Sequence, residues 1–480
     1  MSSIRNLIGL VSIATILPLS LACGGEDDEP ADDTGGSGGG SHSGGSGNSD
    51  SGGGAGDTGN GGGAGDSTGG GSSECDLSGE GLPTETIPNH ISRDRTLTND
   101  TVWVLEDTTY VEDGATLTID PCTRIEGAFE PLGTLVVSRG GRIEAVGTAD
   151  EPILFTSQRA PGHREAGDWG GVILLGRAPN FEGENVTIEG LDDLPENQYG
   201  GDDAADNSGT LRYVRIEYSG YELSVDNEIN GLTLGSVGRG TTIDHVMVSN
   251  TLDDCYEWFG GTVNADHLVC NNAGDDMFDM DQGYRGHLQF LFGRQVTPIS
   301  SNPNGFECDS SIEGATPVSR PIVSNVTLCG LHEPFIYEAI GAVMRERLTG
   351  DYSNVIITGF ERGIDARDDF GTPADPNVEI RGWDFYDNFG DNIAPEETGE
   401  DDNDDGFDEL EWVNDSSRDN TEDDPGFDCG PNGTPEPYPS SSIDGVTPGD
   451  GLDDSATYVG AFEDDQDDWM TGAWIDWAND

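Results

Sequence analysis

The stretch Ile243–Asn264, IDHVMVSNTLDDCYEWFGGTVN, is followed at once by ADHLVCNNAGDDMFDMDQGYRG, a second copy of the same pattern 22 residues on. Identities fall at Asp244/Asp266, His245/His267, Asn250/Asn272, Asp253/Asp275, Asp254/Asp276 and Gly261/Gly283. A unit this short cannot close a core by itself, so each copy has to be one layer stacked on the next. Apolar positions such as Val246/Leu268 and Val248/Cys270 alternate with polar ones, the period of a strand with one inward face. Gly, Thr, Val and Asn dominate these segments and helix formers are few, which disfavours a tandem of helical hairpins. Short β-branched segments between Gly and Asp turns continue the pattern from about Thr96 onward. The sequence therefore predicts an all-β chain, a right-handed parallel β-helix over residues 75–395. Insertions near 180–208 and 296–320 are expected to rim one face of it. With 72 glycines and an apolar fraction of 33%, the core should be thin and repetitive.

Charge narrows the partners. The 93 acidic residues face 21 basic ones, all of them Arg, for a formal net charge of −72. Phosphate recognition needs a basic face, so nucleic acid and anionic lipid are excluded as ligands. A surface this acidic repels itself unless cations screen it, as divalent ions or a salty medium would.

The N-terminus predicts the compartment. Arg5, an apolar run from Leu7 to Leu21 and then Leu21-Ala22-Cys23 resemble a lipoprotein signal, with residues 1–22 removed and Cys23 as the lipid anchor. The run is short for a membrane span and contains Pro18. Ser20 stands where the usual motif has Leu, and Gly24 rather than Asp after the cysteine favours passage to an outer membrane. Residues 24–74 hold 22 glycines in 51 positions with no aromatic residue and no Arg, so 23–74 reads as a disordered tether. Its random-coil reach is about 40 Å. The expectation is a lipoprotein exported to the outer membrane or cell surface of a Gram-negative bacterium.

An exported chain is disulfide-permissive. Beyond Cys23 the cysteines are Cys75, Cys122, Cys255, Cys270, Cys308, Cys329 and Cys429. Proximity in sequence suggests Cys75 with Cys122, Cys255 with Cys270 and Cys308 with Cys329, leaving Cys429 over. No CxxC spacing for zinc is present. Residues 396–457 read as an acidic, partly disordered segment. The last residues, 458–480, carry Tyr458, Phe462, Trp469, Trp474 and Trp477, aromatic enough to dock back as a cap over the open end of the solenoid.

The stretches DGATLTIDPCTRIEG, RGGRIEAVGTADEPILFTS, GDWGGVILLG, DDCYEWFGGTVNADHLVC and DDMFDMDQGYRG are similar to those of bacterial secreted or lipid-anchored surface proteins with the pectin-lyase-like β-helix. The likeness spans roughly residues 96–390 and the terminal Trp segment. It implies the fold; most members of the group have no established activity.

Layers about 4.7–4.9 Å apart put Asp253 over Asp275, Asp254 over Asp276 and Glu257 over Asp279, with Asp281 opposite Phe259. So many carboxyls in one strip require a cation or bound protons. Calcium, which takes several oxygen ligands, is the expected cofactor. In the tail, Asp401, Asn403, Asp405 and Gly406 copy the start of a calcium loop, though Trp412 holds the twelfth place where Glu is wanted and Glu411 comes one early. A catalytic alternative uses Asp254 and Asp276 as an acid/base pair. Pectate-lyase relatives use a basic residue as proton acceptor, for which Arg285 is the nearest candidate. His245/His267 and Asn250/Asn272 read as hydrogen-bonded ladders at bends, and Trp258, Tyr386 and Phe389 as packing residues rather than sugar platforms. Three readings result: a calcium-stabilised binding or adhesion module for an extended polymer such as polysaccharide; a polysaccharide lyase or glycoside hydrolase; and an envelope spacer.

Overall fold

The computed structural model describes residues 75–478 apart from 225–226, 300–302, 311–313, 333–338, 369, 394, 396–402, 405 and 431–432. The signal, Cys23 and the tether lie outside the described residues. The rest is a parallel β-helix built on two long sheets of 14 and 10 strands, every pairing within them parallel. The 22-residue repeat becomes the register itself. In the first sheet Thr242–Ser249 pairs with Asn264–Asn271 so that Asp244 meets Asp266 and Val248 meets Cys270. In the second, Tyr256–Phe259 pairs with Phe278–Asp281, with Glu257 against Asp279.

Alternation sends one set of side chains inward. Val246, Leu268, Leu291, Val326 and Val355 line up from the first sheet, and Tyr256, Phe278 and Phe306 from the second, all fully buried. Tyr256 stacks on Phe278 with centroids 5.3 Å apart. Each such side chain contributes about 1.5–3 kcal/mol by leaving water, and that recurring term holds the stack together. Trp258 belongs to this interior, between Tyr256 and Tyr284, while Tyr386 and Phe389 are half-buried.

The first sheet bends along a column of left-handed residues. Tyr213, His245, His267, Phe290, Asn325 and Asn354 have φ between 53° and 60° and stand one per coil; Gly382 continues them at 66°. Side chains rarely adopt this conformation, so each position costs roughly 1–2 kcal/mol and persists because its neighbours do the same. The bend turns these side chains outward, and there they meet the C-terminal segment.

That segment docks back along the outer flank of the first sheet. Asn354 bonds Val446, Gln289 bonds Asp453, and Asn325 donates to the carbonyls of Ala456 and Tyr458. Further on, Trp469 lies 5.3 Å from His267 and Trp474 5.1 Å from His245, and Asp476 pairs with Arg215 at 2.7 Å. The aromatic residues therefore cover a side of the solenoid rather than its open end. In the preceding acidic stretch, Phe407, Trp412 and Val413 are buried beside Phe370, and Glu409–Val413 forms one helical turn capped by Asp408.

Disulfides join Cys75 to Cys122 and Cys255 to Cys270, as sequence proximity suggests, but the third joins Cys329 to Cys429, and Cys308 is a buried free thiol. The expected Cys308–Cys329 bridge fails on parity. Cys308 stands between Met280 and Met344 in an inward column, whereas Cys329 follows Asn271 and Arg294 on the outer face under the C-terminal segment. The wall of the solenoid separates them.

Candidate metal centre

One outward row crosses the whole second sheet: His90, Tyr110, Val136, Ile173, Thr233, Glu257, Asp279, Glu307, Val343 and Asp365. Its apolar part is roofed. Tyr110, Val136, Ile173, Leu175 and Phe259 pack under Ile188 and Tyr199 of the 180–208 insert and under Ile229 of the antiparallel strand pair Tyr221–Ser224 and Asn227–Ile229. Beyond that roof the row turns acidic.

A second column runs beside it at the corner, through Asn230, Asp254, Asp276 and Asn304; the carbonyls of Asp254, Asp276 and Asn304 accept the N–H groups of Gly231, Cys255 and Met277 from neighbouring coils. The Asp254 carboxylate accepts the Asp276 N–H at 2.7 Å, and Asn230 donates to Glu257. Three carboxylate triplets result, the atoms of each within 4.8 Å of one another: Asp254, Asp276 and Asp279; Asp253, Asp254 and Asp275; and Glu189, Glu228 and Asp253. Asp276 is 3% exposed, Asp254 6% and Glu257 7%. One oxygen each of Asp276, Asp279 and Asp309 is buried with no hydrogen-bond partner among the described residues.

Such groups resist ionisation. Burial, then the charges of Asp253 and Asp276, push the Asp254 carboxyl well up; burial, then Glu307 and Asp275, do the same to Asp276. Asp279 is raised by burial, Glu307 and Asp309, against the pull of Arg345. Glu257 is raised by burial and Glu189, Asp253 by burial and Asp275, and Asp281 by burial and its bond to Asp309. Asp275, raised chiefly by burial, reaches about 7. Ionised pairs at this separation repel by roughly 3 kcal/mol each at an effective dielectric near 20. A donor set of oxygens alone suits a hard cation such as calcium, and partnerless carboxylate oxygens are what such an ion would take up.

The family model described as a pectate-lyase-like β-helix domain matches residues 89–423. The chain belongs to that family. No curated protein matches it. Among solved structures, that of PfbA, a surface adhesin of Streptococcus pneumoniae, is similar at 8% identity over 61% of this chain and 76% of that one, with a TM-score of 0.24.

In this member of the family the structure gathers Asp253, Asp254, Glu257, Asp275, Asp276 and Asp279 into one group, with Asp281 at its edge against Asp309. Arg285 stands apart: it is exposed, and among the described residues no ion pair joins it to the row. A guanidinium that does reach the acidic strip is that of Arg345, paired with Glu307 and with Asp309 at 3.3 Å. Asp254 and Asp276 do lie side by side, yet both are closed over, leaving a sugar ring no approach. Asp401 and Asp405 fall outside the described residues. The Asn403 carbonyl accepts the Asp368 N–H, and Trp412, at the twelfth place of that loop pattern, is a core residue.

Away from the strip, one Asp244 oxygen accepts from both His245 and His267 at 2.6 and 2.9 Å, and Arg212 holds the other at 3.0 Å. Burial opposes the charge on Asp244, but the two imidazoles outweigh it and hold the carboxyl well below the usual range. The two rings stack at 4.2 Å beneath the terminal tryptophans, and Asn272 donates to Asn250 at 3.2 Å in the neighbouring bend.

Sequence reasoning missed Glu189, Glu228, Glu307, Asp309 and Arg345. Register carried a signal for three of them: Glu307 follows Asp279 in the row, and Asp309 and Arg345 sit two places along from Glu307 and Val343. Glu189 and Glu228 come from the insert and the strand pair, outside any repeat.

Proposed function

We propose that this chain is an exported surface binding module, stabilised by calcium, whose second-sheet face engages an extended polymer such as a polysaccharide. The observation that carries this reading is the buried acidic strip with carboxylate oxygens that have no partner among the described residues, built into the outward face of the second sheet that the 180–208 insert and the Tyr221–Ile229 strand pair border. A cation there relieves the repulsion and holds the coils in register, and the regular spacing of the coil stack suits a repeating ligand. Cys23 would carry the lipid, with residues 24–74 as the tether.

A glycan array probed with the full chain, with and without chelator, tests the module. Binding that disappears on chelation supports it; equal silence in both conditions leaves an envelope spacer. A lyase or hydrolase reading draws on Arg345 beside raised carboxyls. It requires release of unsaturated or reducing sugar ends that an Arg345→Ala variant no longer produces.

A further inference from the structure

The three carboxylate triplets are links of one chain. Asp254 belongs to the inner and middle ones, and Asp253 to the middle and outer ones. The inner link is the most buried of the three. The outer link is supplied by elements that are not part of the coil stack: Glu189 follows Ile188 in the 180–208 insert, and Glu228 precedes Ile229 in the antiparallel strand pair. Ile188 and Ile229 anchor these elements on Tyr110, Val136 and Ile173. Burial of those apolar residues therefore draws Glu189 and Glu228 toward Asp253, while like charge drives them away.

We propose that a divalent cation held by Asp254, Asp276 and Asp279 also fastens the 180–208 insert and the Tyr221–Ile229 strand pair onto the second sheet, by setting its positive charge against the repulsion that Glu189 and Glu228 meet at Asp253. This rests on the cation reading above, and it turns the ion into the control on the wall of the binding face. An observation beyond the acidic grouping places the ion at the inner triplet. Asp276 is 97% enclosed, on the 3% exposure above, its carboxylate reaches the triplet, and one of its oxygens has no hydrogen-bond partner among the described residues, as is true of Asp279. Neutralising that triplet removes the charge of Asp254 from beside Asp253 and Asp275. The same relief extends to Glu257, on which Glu189 exerts the largest charge effect.

Calcium alone is the probe, titrated calorimetrically into the chelator-treated full chain, with amide hydrogen exchange followed in both states. The expected result is that calcium at ten times its Kd slows exchange in peptides from 181–200 and 227–229 about tenfold, while the strand Asn264–Asn271 is unchanged. In a Glu189→Gln plus Glu228→Gln variant, calcium still binds, but the insert is protected equally with and without it. Asp276→Asn abolishes both the calcium heat and the response of the insert. Calcium heat in the wild type with no change in insert exchange overturns the coupling and leaves the cation reading standing. Absence of calcium heat overturns both.

Discussion

Asp276 concentrates the chemistry of the strip in one side chain. Its carboxyl is enclosed, crowded by Asp254 and Asp279, and holds one oxygen without a hydrogen-bond partner among the described residues. Asp276→Asn keeps the shape and removes the charge. Without metal it should raise stability at pH 8 by roughly 1–3 kcal/mol, because an uncompensated buried charge is lost; with calcium it should fall below the wild type, because a ligand is lost. Chemical denaturation in the two conditions reads both signs. The pH dependence follows from the same crowding. Asp275 holds its proton up to about pH 7, against an ordinary carboxylate value near 4, and burial and like charge raise Asp254, Asp276 and Asp279 well above that ordinary value too. The folded state thus binds more protons than the unfolded chain. Their stabilising contribution is complete below about pH 4 and is lost as the pH rises through about 7 and beyond. Metal-free protein should lose stability from pH 5 to pH 8, and calcium, which competes with those protons, should reverse the slope. A metal-free profile rising with pH would count against the raised carboxyls.

At the scale of elements, the strand stack and its register were legible because they repeat: the 22-residue offset between Asp254 and Asp276 is also the offset of the hydrogen-bonded coils. What was not legible lacks a period. The C-terminal segment meets the left-handed column through single contacts such as Asn325 with Tyr458 and His267 with Trp469, and no spacing announces them. Parity within a strand, not distance along the chain, decides that Cys329 bonds Cys429 while Cys308 stays inside. For the site, the repeat revealed the inner carboxylates and was blind to Glu189 and Glu228, which long-range burial of Ile188 and Ile229 delivers. The bridge itself is open to test. It spans a separation of 100 residues and ties the C-terminal segment to the first sheet. Cys329→Ser plus Cys429→Ser should cost up to about 4–5 kcal/mol, measured by denaturation. In the wild type, peptide mapping should recover the Cys329–Cys429 link and find the Cys308 thiol unreactive until the chain unfolds.

For the whole molecule, the −72 formal charge acts over distance while the strip acts at contact, and salt separates the two. General repulsion weakens as the Debye length shrinks from about 30 Å at 0.01 M to about 3 Å at 1 M. Compacting so many like charges costs free energy that the unfolded chain, being expanded, largely avoids, so the melting temperature should climb steadily with sodium chloride. The enclosed triplet is screened far less, because bulk ions do not reach Asp276. Millimolar calcium added at fixed ionic strength should therefore raise the melting temperature further, by a saturating increment that tracks site occupancy. The increment should survive in 1 M sodium chloride and vanish in Asp276→Asn. An increment that vanished in high salt, or that magnesium and sodium matched at equal ionic strength, would assign the whole effect to the diffuse field and leave the strip without a resident ion.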